Sequence, residues 1–149
     1  MKRVWIAVML LAAVLTLTAC GSKADETVTA AAPVQKVDLD LSKLSDTVVY
    51  SQVFDMYADP ESYLGQRVKV KGSFNYYKDS ETDNEYFAVV ISDATACCAQ
   101  GMEFVWAGEH TFPQDYPALD SEITVTGTFS TYEENGYEYI HLSDAELEV

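Results

Sequence analysis

The stretch Ser121–Leu142, SEITVTGTFSTYEENGYEYIHL, decides the fold. From Glu122 to Tyr132 apolar and polar residues alternate, the period-two pattern of a half-buried strand. Glu134-Asn135-Gly136 then interrupts the run, and Asn-Gly readily takes the two positive φ angles of a type I′ turn. Tyr137–Leu142 resumes the alternation, so the segment reads as a β-hairpin.

Working outward, the same period appears from Gln66. Val68, Val70, Gly72 and Phe74 fall on one face and Arg67, Lys69, Lys71 and Ser73 on the other. Tyr86–Ser92 is an apolar run suited to a strand covered on both faces, and Met102–Trp106 is a further short strand. The connection Lys78–Glu85 is polar, and Gly108–Asp120, with Pro113 and Pro117, is a long loop holding at most one helical turn. Ahead of the strands the spacing changes. Val49, Val53, Met56 and Tyr57 recur every three to four residues in Thr47–Ala58, which predicts a helix of about three turns. Asp59-Pro60-Glu61 opens a single turn that stops at Gly65, with Tyr63 and Leu64 expected to pack under the sheet.

Five short strands, a closing hairpin and a leading helix predict a mainly β domain over residues 47–149: a five-stranded antiparallel barrel with an N-terminal helix. Gly65-Gln-Arg-Val-Lys-Val-Lys-Gly72, Tyr86–Asp93 and Ser121–Leu142 resemble bacterial OB-fold domains, in which similar runs open the first and fourth strands. The likeness covers roughly residues 60–149. It implies an OB-like fold and no particular activity, because such barrels host many unrelated functions.

The chain begins with Lys2 and Arg3 and an uncharged run from Val4 to Leu17, too short for the ~20 apolar residues of a spanning helix, and ends this segment in small residues. Residues 1–19 read as a secretory signal. Leu17-Thr-Ala-Cys20 resembles the bacterial lipobox, which implies that Cys20 is lipidated and becomes the mature N-terminus, anchoring the protein to the outer face of the cell membrane. Gly21–Pro33 has little to bury and is a tether; Val34–Asp46 alternates so weakly that it is either an edge segment or a continuation of that tether, which then spans residues 20–46.

The whole chain has 9 Lys and Arg against 24 Asp and Glu, a formal charge of −15. Cleavage would remove Lys2 and Arg3 and make it more negative still. Such a field repels phosphate backbones, so nucleic acid is not an expected partner. The anchor makes the membrane one partner.

Cys97 and Cys98 are the unusual pair downstream, and three readings remain open for them. One packs the thiols as small hydrophobes. A second makes them ligands of a soft metal such as zinc, with imidazole or carboxylate completing the set, His110 or His141 being the imidazole expected near the barrel mouth beside Trp106. A third is a vicinal disulfide or redox thiol. The Cys-Cys-Ala run is also similar to a soluble domain of bacterial proteins associated with membrane permeases and, in some species, with zinc-responsive regulation, a likeness that implies a membrane protein or permease as a partner; the acid that often follows the pair there is replaced here by Gln100-Gly101.

Asp79–Glu85 has oxygen ligands at alternate positions but lacks the glycine and final glutamate of a calcium loop, so a solvated hairpin loop is expected. Tyr76, Tyr86 and Trp106, among many aromatics on the strands, are candidate ligand-stacking residues for sugars or peptides. No Ser-His-Asp order, HExxH motif, P-loop or dinucleotide glycine pattern is present. The sequence therefore predicts a non-enzymatic, lipid-anchored binding or accessory lipoprotein, with soft-metal handling or thiol redox at Cys97 and Cys98 as the alternative.

Overall fold

The computed structural model describes residues 35–93, 95 and 97–149. The signal segment, Cys20 and the first part of the tether lie outside the described residues. The elements are β1 (Leu39–Asp40), α1 (Asp46–Ala58), a 3₁₀ turn (Pro60–Tyr63), β2 (Arg67–Lys78), β3 (Glu85–Ser92), β4 (Ala99–Trp106), β5 (Glu122–Glu134) and β6 (Tyr137–Glu148). The domain is mainly β with one α-helix. Among the described residues no helix is long and apolar enough to cross a membrane.

Strands β2–β6 pair in a ring, β2-β3-β4-β6-β5, which closes because β5 also pairs with β2. The neighbours β5-β2-β3-β4 stand in Greek-key order. The expected purely antiparallel arrangement is corrected: β4 and β6 run parallel, with Glu103 opposite His141 and Phe104 opposite Leu142. The reason is parity. Direction cannot alternate all the way round a closed ring with an odd number of strands, so at least one pair must be parallel. The short β1 is also parallel to β2, with Leu39 opposite Val68.

The ring closes through one strand. Arg67–Ser73 of β2 pairs with β5, and Ser73–Lys78 pairs with β3, so the strand changes partner at Ser73. Gly72 sits at the crossover, where a Cβ would lie 2.4 Å from the Val90 carbonyl oxygen and 2.9 Å from Val89 Cγ2. Only a residue without a side chain lets β3 come that close.

Alternation delivers Val68, Val70, Phe74, Val89, Met102, Phe104, Ile123, Val125, Phe129 and Leu142 to the core, all fully or almost fully buried. Helix α1 adds Val49, Val53 and Met56. Tyr57, the fourth member of the predicted stripe, is exposed instead, and its hydroxyl donates to the Gly101 carbonyl. Tyr63 packs edge-on to Phe129 at 6.1 Å, whereas Leu64 is 48% exposed: the 3₁₀ turn ends before it can reach the sheet. Residues 38–44 join the domain, with Leu41 fully buried and Asp38 bonded to Arg67 through both backbone and side chain. The loop after β4 has no helix, and it lays Phe112 on Tyr76 at 4.0 Å and Tyr116 on Phe87 at 4.1 Å.

The hairpin turns where Asn-Gly predicts, with Asn135 at φ 52° and Gly136 at φ 82° and with Glu134 opposite Tyr137.

Gly72→Ala should lower stability by about 1–3 kcal/mol, since the new methyl group meets backbone rather than a flexible side chain. Urea unfolding should show an earlier midpoint with an unchanged slope. An unchanged midpoint would mean that β2 and β3 have room to part.

Candidate functional site

Two groups of side chains outside the core carry chemistry. The first lies on the faces of the strands that alternate with the core positions. Tyr77 of β2 and Tyr86 of β3 stack across the strands at 6.1 Å, and Tyr132 and Tyr139 of the hairpin stack at 5.5 Å. Carboxylates lie among these rings. The Tyr132 hydroxyl donates to Glu103 Oε2 at 2.7 Å, and the Tyr86 hydroxyl donates to the Glu134 carboxylate at 2.7 Å. Asn84 Nδ2 also donates to Glu134, at 2.8 Å, which ties the loop after β2 to the tip of the last hairpin. A cleft of about 210 Å³ opens on this face, its lining including Tyr57, Tyr76, Tyr77, Tyr86, Glu103 and Tyr139, with Asn75 beside them. A larger groove of about 330 Å³ between the start of α1 and β2–β3 contains no aromatic ring.

The titratable groups of the face shift as their surroundings dictate. Burial pushes the Glu103 carboxyl above its ordinary value, the Tyr132 hydrogen bond opposes the shift, and the nearby Glu134 adds to it. Burial also raises the Tyr132 phenol, and Glu103 reinforces that shift as acceptor and as charge. His141, whose ring lies 4.9 Å from that of Tyr132, is lowered by burial and so favours its neutral form. The face is thus an aromatic, proton-holding surface with hydrogen-bond acceptors and, among the described residues, no cationic side chain lining the cleft.

The second group is the loop between β3 and β4. Cys97 and Cys98 are both free and exposed, so neither packs as a small buried hydrophobe. Their sulfurs are 3.7 Å apart, and Cys97 Sγ lies 3.3 Å from Asp93 Oδ2. Burial alone would raise the Asp93 carboxyl, but the Cys97 thiol, the Thr95 hydroxyl and the backbone N–H groups of Cys97 and Cys98 outweigh it and hold it below the ordinary carboxylate value.

The predicted His partners are not there. Among the described residues, the metal-ligand cluster is Asp93, Cys97 and Cys98, without a histidine. His110 stacks on Trp106 at 3.6 Å, with its Nε2 bonded to the Ala107 carbonyl at 2.9 Å. At a strand rise of ~3.3 Å per residue, Trp106 is about 26 Å along β4 from Cys98. His141 faces Glu103, about 16 Å from the same point. Alternating sequence places residues on faces, but only the pairing shows which end of a strand each occupies. Trp106 likewise belongs to another cleft, of about 170 Å³ with His110 and Tyr116, and does not join Tyr76 and Tyr86.

Sequence reading missed Tyr57, Asn75, Glu103 and Asp93. Glu103 had a signal: it stands between Met102 and Phe104 and so at the outward parity of a strand. The loop after β2 is the solvated turn expected, with Asp79 Oδ1 accepting from the Glu81 and Thr82 N–H groups. No protein-family model, no curated protein and no solved structure matches the chain.

Because its carboxyl is raised when folded, Glu103 contributes stability that is complete below its ordinary value near 4.5 and is lost as pH rises through the folded value. Glu103→Gln should therefore raise the melting temperature relative to wild type at about pH 7–8, with the difference fading below about pH 4. Thermal unfolding of both proteins across that range is the measurement, and a destabilised variant at neutral pH would show that the Tyr132 bond outweighs burial.

Proposed function

We propose that this protein is a lipid-anchored, non-enzymatic binding lipoprotein on the extracytoplasmic face of a bacterial cell membrane. Its domain is an OB-like barrel that offers the tyrosine and carboxylate face to a ligand. Support for the fold comes from the five-strand ring and its Greek-key order. In barrels of this type the second and third strands, with the loops after the first and fourth, make the binding surface. Here these are β3, β4, the loop 79–84 and the hairpin tip at Asn135-Gly136. The observation that carries the reading is that Asn84 and Glu134 join those two loops beside a cleft lined by Tyr57, Tyr77, Tyr86 and Tyr139.

Ring faces bind flat apolar surfaces, and Glu103, Glu134 and Asn75 offer oxygens to hydroxyl donors. A neutral oligosaccharide is the ligand class this combination fits best. Anionic ligands are disfavoured by the chain's charge of −15. The likeness of the Cys-Cys-Ala run to permease-associated proteins supports a membrane protein or permease as its partner. A soft-metal role rests on a different group, Cys97 and Cys98, and does not compete for this face.

Cys20→Ala should release the domain from membranes, since the anchor is the lipid on that thiol. Fractionation with lipid labelling decides it; unchanged membrane association with no acyl signal on the wild type would leave an ordinary cleaved signal. In titration calorimetry against a series of neutral oligosaccharides, Tyr77→Ala and Tyr139→Ala should each weaken binding by roughly tenfold. If no member of the series perturbs the NMR signals of Tyr77, Tyr86 and Tyr139, the sugar reading fails.

A further inference from the structure

Three donor atoms of the right kind converge on the loop between β3 and β4. Asp93 and Cys98 close the loop through an N–H to carbonyl bond of 2.9 Å, directly beyond the last strand pair, Ser92 opposite Ala99. Asp93 Oδ1 accepts from the Thr95 and Cys97 N–H groups at 3.1 and 3.0 Å, which fixes the carboxylate against the thiols. One ligand atom from each of Asp93, Cys97 and Cys98 falls within 4.8 Å of the others.

These separations match the edges of a coordination tetrahedron. Two sulfurs at ~2.3 Å from a tetrahedral zinc stand about 3.8 Å apart, and a sulfur and a carboxylate oxygen stand about 3.5 Å apart. The observed values are 3.7 Å for the two Sγ atoms and 3.3 Å for Cys97 Sγ to Asp93 Oδ2. The donor set discriminates as well. Calcium and magnesium need mostly oxygen ligands, which a single carboxylate does not supply, and that same carboxylate favours borderline Zn²⁺ over Cu(I).

We propose that Asp93, Cys97 and Cys98 form a three-ligand Zn²⁺ site with an open fourth position. Both cysteines are exposed. An open, exposed position distinguishes this site from closed four-ligand structural zinc and suits reversible loading and hand-over of the ion. Binding transfers the two thiol protons to solvent as the two Zn–S bonds form, so affinity rises with pH. The site is independent of the tyrosine face.

The test is titration of the whole, reduced protein with Co²⁺ as a spectroscopic stand-in, followed by Zn²⁺. Expected are thiolate-to-cobalt charge-transfer bands and tetrahedral d–d bands that saturate at one ion per chain and are abolished by one equivalent of Zn²⁺. Cys97→Ser, Cys98→Ser and Asp93→Asn should each weaken binding by roughly tenfold or more, with unchanged circular dichroism because the loop is outside the core. His110→Ala should leave the spectrum as it is. The proposal is overturned if wild type gives no charge-transfer bands, if Asp93→Asn or Cys98→Ser binds as tightly as wild type, if His110→Ala changes the spectrum, or if only Cu(I) binds. Loss of oligosaccharide binding in Tyr139→Ala with normal Co²⁺ spectra separates the two readings.

Discussion

Closure of the ring through β2 is the constraint on which the other features depend. A single strand has to pair with β5 along its first half and with β3 along its second, and it does so by changing partner at Ser73 next to Gly72. The contact of 2.4 Å that a Cβ at Gly72 would make with the Val90 oxygen measures how tightly β2 and β3 cross there. Closure also joins the two ends of the sheet that would otherwise carry unpaired backbone groups, which is how small β proteins avoid aggregating edges. With an odd number of strands it further requires a parallel pair, here β4–β6, and this pair brings His141 level with Glu103.

The same strand organises the polar contacts around the core. Arg67 is only 6% exposed, yet its guanidinium reaches the exposed Glu146 carboxylate at 2.7 Å. Its backbone meanwhile bonds to Asp38 on both sides, which draws the segment before α1 onto β2 and lets Leu41 enter the core. A buried cation left without its acid would be costly, so these contacts act together. Among the described residues, no buried side-chain nitrogen or oxygen lacks a hydrogen-bond partner.

The two chemical groups differ in how they are held. The tyrosine face is built on strands and cross-braced by hydroxyl–carboxylate bonds between β4 and β5 and between β3 and β5, so its rings are positioned before any ligand arrives. The thiol group sits on a six-residue loop pinned at both ends by strand pairing, with Asp93 as its internal brace. The rings are therefore held by the sheet itself, whereas the exposed thiol pair is held by its loop.

Much of the fold was legible in the chain. Period-two alternation marked β2 and β5, a continuous apolar run marked β3, three-to-four spacing marked α1, and Asn135-Gly136 marked the closing hairpin, because these are local patterns set by side-chain direction and backbone angles. Leu64 and Tyr57 escaped because their neighbours, not their spacing, decide burial. The site was less legible. Residue type singled out Tyr86 as a stacking candidate and Cys97 and Cys98 as an unusual pair, but which residues meet depends on register and ring closure. Those non-local relations set Glu103 against Tyr132, brought Asn84 to Glu134, and left His110 and His141 far along the strands from the thiols that sequence had matched them with. What the sequence determined by itself was the elements and their inward faces; what only the tertiary structure decided was the company each outward residue keeps, since pairing across a closed ring joins positions that no local pattern relates.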